Sequence, residues 1–165
     1  MYAKNIPAEL VQSVVDVFKK DPEIFIHIYM NDEWLLNRDD ETMKKFHDQT
    51  GFTYRLYDAD NAPSEGIAKI FCTHPNKSHE HLVPFEDELN ALFGEKLNAA
   101  FSTPWCLEVM AAEVSKGDAL QAVAQSIDLE LENCIAFGDG MNDVELLSMA
   151  GNCLLYTSDA ADEHR

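Results

Sequence analysis

The sequence predicts an α/β protein: part of a doubly wound parallel-sheet core, preceded by an α+β layer with an antiparallel sheet. Three observations predict it. Up to Met110 the pattern runs helix, strand pair, helix, strand, helix, strand pair, an order that lays helices on an antiparallel sheet. From Val114 the order becomes helix, strand, helix, as in doubly wound folds. The short apolar run "NCIAF" leads straight into "GDGMND", where open α/β sheets bind ligands, beyond the carboxyl end of a strand.

In order, "IPAELVQSVVDVFKKDP" spaces Leu10, Val14, Val17 and Phe18 for a helix, opened by Pro7 and ended by Asp21-Pro22. "EIFIHIYMNDEWLLNR" reads as a hairpin turning at Asn31-Asp32. "DDETMKKFHDQTG" reads as a second helix, acidic at its start and with Gly51 past its end. "GIAKIFCTH" reads as a strand, and "SHEHLVPFEDELNALFGEK" as a helix closed by Gly94. "LNAAFSTPWCLEVMA" is one bent strand or two, interrupted at Pro104. "SKGDALQAVAQSIDL" predicts an amphipathic helix with Leu120, Val123, Ala124 and Ile127 on its core face. Ser115 and Asp118 there have capping-box spacing, with Asp in place of Glu. "NCIAF" suits a buried parallel strand, and "MNDVELLSMA" a following helix.

The 165 residues carry a formal net charge of −18. Nucleic acid and anionic membranes are excluded as partners, because both need Lys and Arg to neutralise phosphate. The carboxylates suit a solvated surface, and also a protein that gathers them about a divalent cation. Cys72, Cys106, Cys134 and Cys153 show no Cys-x-x-Cys spacing and read as buried thiols of a reducing cytoplasm. No apolar run reaches bilayer length, and "MYAKNIPAEL" lacks the apolar centre of a signal peptide. The sequence fixes no oligomeric state.

The turn after "NCIAF" holds two carboxylates. Gly138 and Gly140 allow a tight bend around Asp139, and Asn142 and Asp143 fall in the first turn of the next helix. Unpaired helix N–H groups there suit an anion. Asp139 and Asp143 offer the oxygen ligands that Mg²⁺ takes. From spacing alone, a turn former and a helix-dipole partner are equally good readings. Lys116, at the start of the preceding helix, opposes that helix's dipole, which is tolerable if it meets a phosphate or a carboxylate. Alone, it reads as a solvated lysine.

Together, "EVSKGDAL" and "IAFGDGMNDVELLSMAG" resemble the third and fourth motifs of the haloacid dehalogenase (HAD) superfamily. They are similar in particular to its Cof-type (HAD-IIB) phosphatases. "DEW", "HEHL", "FST" and "CLEVMA" resemble members that act on pyridoxal phosphate and sugar phosphates. The resemblance implies a C2-type α+β cap domain at 1–110, the C-terminal part of the Rossmann-like HAD core at 111–153, and a foreign tail at 154–165. It implies a Mg²⁺-dependent hydrolase of small phosphorylated metabolites that works through an aspartyl-phosphate. In that scheme Asp139 binds Mg²⁺, and Asp143 supports it directly or through a neighbour. Lys116 holds the phosphoryl group and steadies the nucleophile, and Asn142 contacts the phosphate or the substrate.

The nucleophile motif, Asp-x-Asp-Gly-Thr after an apolar strand, is absent. Asp58, Asp60 and Asn61 in "RLYDADNAPSEG" imitate it poorly, because Asn61 and Ala62 replace Gly and Thr and "FTYRLY" alternates polar with apolar residues. The chain therefore reads as a fragment, inactive alone, with "NCIAF" short of sheet neighbours. The alternatives are a non-catalytic module that binds a ligand or partner, and a phosphomutase of the same superfamily.

Among other candidates, Cys72, His74, His79 and His81 fit no standard zinc spacing and read as the polar start of a helix. Trp34 and Trp105 suit core or hairpin packing better than a substrate aperture. Glu108 is either a specificity residue or a strand-end charge. Met110, Met141 and Met149 read as packing residues.

Overall fold

The computed structural model describes residues 4–47, 51–76, 78–112, 114–139 and 143–155, and divides into two compact units, Met1–Ala112 and Glu113–Arg165. In the first unit α1 (Ala8–Phe18) is followed by β1 (Phe25–Met30), β2 (Glu33–Leu36), α2 (Glu41–His47), β3 (Tyr54–Leu56), β4 (Ile67–Thr73), α3 (His79–Phe93), β5 (Leu97–Thr103) and β6 (Cys106–Ala111). The strands form one sheet in the order β3-β2-β1-β4-β6-β5. Every pairing is antiparallel except β2–β3.

Strand alternation sorts the side chains onto two faces. On one face Ile26, Ile28, Ile70, Cys72, Leu107 and Val109 pack with Val11, Val14, Val15 and Phe18 of α1 and with Leu82 and Leu89 of α3. Phe18 is fully buried and meets Phe85 at 6.1 Å between ring centroids. On the other face Trp34, Leu36 and Tyr54 form a smaller cluster with Phe25, Tyr29 and Met43. His27 lies among these aromatics, stacked on Phe71 at 4.2 Å. Its Nδ1 accepts from the Trp34 indole N–H at 3.2 Å, so its Nε2 carries the ring proton and faces Thr73 Oγ1 at 3.1 Å.

The predicted hairpin turns at Asn31, whose φ of 51° is one that Asn tolerates. β5 and β6 are two strands, divided at Pro104-Trp105. β3 is a strand that the sequence pattern does not predict; it pairs Tyr54 to Trp34 and Leu56 to Leu36. Trp34 is buried as expected, whereas Trp105 is 41% exposed beside the β5–β6 turn. Glu108 sits within β6 and pairs with Lys69 at 3.0 Å, so the strand-end reading does not hold.

The second unit holds α4 (Lys116–Ser126), a 3₁₀ turn (Leu131–Asn133), β7 (Ile135–Gly138), α5 (Val144–Met149) and β8 (Asn152–Leu155). β7 and β8 are parallel, in register from Ile135–Asn152 to Gly138–Leu155, and α5 is the crossover between them. β8 takes in Leu154 and Leu155, which the sequence pattern assigns to the tail. Ser115 Oγ accepts from the Asp118 N–H at 3.0 Å, as the capping spacing predicts. The expected core face of α4 is corrected. Gly117 and Ala124 are buried, but Val123 and Ile127 are 58% and 63% exposed. Gly117 is where the helices meet: a Cβ there would lie 2.7 Å from Met149 Sδ on α5. Ile135, Phe137 and Leu154 are also exposed.

Candidate active site

The geometry at the end of β7 is built around one buried carboxylate. Asp143 precedes α5 and is 4% exposed. It is the N-cap residue of α5, but its side chain makes no capping hydrogen bond to that helix. Instead Oδ1 takes the Lys116 ammonium, and Oδ2 accepts from the Asp139 backbone N–H at 3.0 Å. A carboxylate is buried at tolerable cost only when paired and hydrogen-bonded in this way. Asp143 thus ties the start of α4 to the end of β7.

This arrangement depends on Gly138. A Cβ there would stand 2.5 Å from Asp143 Cβ and 3.0 Å from its Oδ2. Gly138→Ala is expected to push Asp143 aside and to destabilise the second unit by about 1–3 kcal/mol, the usual cost of overpacking. Urea unfolding checks this; an unchanged midpoint would show that Asp143 is not held as described.

Asp139 is different. It is exposed, and among the described residues no side chain pairs with its carboxylate. Its oxygens suit a hard cation, which Mg²⁺ sites meet with one or two carboxylates, completing the shell with water and substrate phosphate. Both Asp143 oxygens are already engaged, so Asp143 suits a positioning part. Asn142 lies outside the described residues, as do Gly140 and Met141. Lys116 remains half exposed, with donors to spare beyond Asp143.

The Asp58 loop belongs to the first unit and is self-contained. Asp58 accepts from the Asp60 N–H at 2.9 Å and from the Asn61 side-chain amide at 2.8 Å, and Asp60 pairs with Lys19. The Asn61 amide holds the Asp58 carboxyl below its ordinary pKa. It is a turn held by its own side chains.

A sequence profile of haloacid dehalogenase-like hydrolases matches residues 1–155. The chain belongs to the haloacid dehalogenase-like hydrolase family. Within it, the chain is 36% identical over 155 residues to a Yersinia pestis HMP-PP phosphatase, covering 94% of this chain and 55% of that protein. It is therefore a HAD sequence that spans about half the length of such relatives. Its fold is similar to that of a haloacid dehalogenase-like hydrolase from Bacteroides thetaiotaomicron, with a TM-score of 0.77 at 22% identity, over 99% of this chain and 61% of that one. It is similar also to a sugar phosphatase of HAD subclass IIB, with a TM-score of 0.77 at 17% identity, over 98% and 60%. The profile match bears out the predicted haloacid dehalogenase resemblance, and the structural likenesses bear out the α/β fold class. Among the described residues, no helix of this HAD chain is long and apolar enough to cross a membrane.

Proposed function

We propose that this chain carries the lysine and metal side of a Mg²⁺-dependent phosphomonoester hydrolase, with an α+β cap (residues 1–110) that selects a small phosphorylated metabolite. Pyridoxal phosphate and sugar phosphates are the first substrates to try. The observation that carries this reading is the division of labour between Asp143 and Asp139: one is buried and bonded to Lys116 and the β7 turn, the other is exposed, its carboxylate paired with no side chain among the described residues.

Mg²⁺, when bound at Asp139, supplies charge neutralisation for the phosphoryl oxygens. Lys116 binds a phosphoryl oxygen from the opposite sign of charge, and Asp143 fixes where its ammonium points. The Asp139 N–H held by Asp143 sets the turn that presents the Asp139 side chain. Phosphoryl-group hydrolysis is supported by the names of the relatives, which are phosphatases, and by the acidic, lysine-bearing turn. The free thiols Cys72, Cys106, Cys134 and Cys153 suit a reducing compartment, and we place the protein in the cytoplasm.

The sequence holds no Asp-x-Asp-Gly-Thr, so the 165-residue chain supplied with Mg²⁺ and pyridoxal phosphate or a sugar phosphate is expected to release no phosphate. Fused behind a strand carrying that motif, it is expected to turn over. Phosphate release by the chain alone, lost on Asp58→Asn, would overturn this assignment.

A further inference from the structure

We propose that Asp21, His74 and His81 form a binding site for a divalent first-row transition ion of the zinc type. They come from three separate places in the first unit: the turn after α1, the end of β4 and the first turn of α3. One ligand atom from each lies within 4.8 Å of the other two. The site does not include the other residues of the Cys-His stretch. Cys72 is fully buried in the core, and His79 Nδ1 donates to the Pro104 carbonyl at 3.1 Å.

His74 carries the argument. It is 4% exposed, and among the described residues its Nε2 has no hydrogen-bond partner. That nitrogen faces Asp21 Oδ2 at 4.0 Å and Glu23 Oε2 at 3.8 Å, too far to bond either. A buried polar atom left so is costly, and a ligand between it and the carboxylates removes the cost. The His81 ring lies 4.2 Å from the His74 ring, and its Nε2 meets Asp21 Oδ2. Asp21 Oδ1 is fixed by the Glu23 N–H at 2.8 Å, the kind of support that orients a metal-binding carboxylate.

Two imidazoles and a carboxylate are a borderline donor set, suited to zinc and its neighbours rather than to Mg²⁺. Bonds of about 2.0–2.1 Å in a tetrahedron put ligand atoms about 3.3 Å apart. To reach that spacing the 4.0 Å gap between His74 and Asp21 has to close and the His81–Asp21 contact has to open, both by side-chain rotation. Glu23, whose side chain is 67% exposed, is free to swing into the fourth position.

The ion also has a proton consequence. His74 Nδ1 accepts from the Asn76 N–H at 3.2 Å, so without the ion the ring proton sits on Nε2. Coordination through Nε2 moves that proton to Nδ1, and the Asn76 N–H loses its acceptor.

The test uses the whole chain and needs no enzymatic activity. Titration with Co²⁺ is expected to give a visible d–d spectrum at one equivalent, displaced by Zn²⁺. His81→Asn and Asp21→Asn should each weaken Co²⁺ binding by at least about 100-fold, the upper end of what a mere supporting group costs. Lys116→Ala and Asp139→Asn should leave it unchanged, which separates this site from the Mg²⁺ reading above. Zn²⁺ should shift the Asn76 amide resonance. A spectrum that survives His81→Asn, a thiolate-to-cobalt band, no spectrum at all, or an unmoved Asn76 amide would each overturn the proposal.

Discussion

Lys116→Ala, made in a fusion that supplies the Asp-x-Asp-Gly-Thr strand, is expected to lower kcat for phosphomonoester hydrolysis by about 10²–10³-fold. That is the range for removing one preorganised donor to developing charge. KM should move much less, because an interaction that strengthens in the transition state appears in kcat. Some of the loss is indirect. Asp143 is 4% exposed and would keep its bond from the Asp139 N–H but lose its cation. Lys116 itself is half exposed, which screens part of the pair, but Asp143 is left buried without it, so Lys116→Ala should cost about 1–3 kcal/mol of stability. Asp143→Asn in the same background separates the two effects. If Lys116 acts on the phosphoryl group, Lys116→Ala/Asp143→Asn regains stability but no activity. Recovery of kcat in the double variant, or a Lys116→Ala enzyme of full activity, would refute the role given to Lys116.

His27→Gln is expected to flatten the acid side of the stability curve. Burial pushes the His27 pKa down from 6.5 to about 3, because the ring is fully enclosed between Trp34 and Phe71. A neutral His27 binds fewer protons in the folded chain than in the unfolded one below pH 6.5. Its contribution is therefore complete above pH 6.5 and is lost as pH falls toward 3. The loss is about 2 kcal/mol at pH 5 and about 4 kcal/mol at pH 3. Gln keeps an acceptor for the Trp34 indole N–H and a donor toward Thr73, and has no proton to gain. Urea midpoints of both proteins between pH 7 and pH 5, where the carboxylates common to both titrate alike, measure the difference. Parallel curves would place the acid sensitivity elsewhere.

The fold class was legible because its signals are local. Pro7, the Asn31-Asp32 turn, the Pro104 interruption and the Ser115–Asp118 cap each act within a few residues. The Lys116–Asp139–Asp143 set was legible through motif spacing. What the spacing could not show was which carboxylate is buried; that depends on Gly138 having no Cβ and on the Lys116 ammonium reaching across from α4. β3 was hidden because it is three residues long and pairs in parallel with a strand 20 residues back. The face of α4 was misjudged because apolar spacing identifies side chains that could be buried, whereas packing at Gly117 decides which ones are. Of the Asp21–His74–His81 cluster the sequence showed only the two histidines, in a stretch whose spacing fits no standard zinc site; Asp21 lies 60 positions from His81, and only the β4 and α3 ends bring them together.

The strand order of the larger sheet has a consequence for self-association. Its two open edges are β3 and β5. β3 offers three residues, with an exposed Arg55 paired to Glu33. β5 has its ladder broken between Phe101 and Thr103. A short charged edge and an irregular one are poor templates for an added strand. Among the described residues, the two-stranded β7–β8 sheet shows no such device, and its strands carry exposed Ile135, Phe137 and Leu154. Edge-to-edge growth is therefore disfavoured at the larger sheet, and the described residues of the smaller one carry no comparable guard.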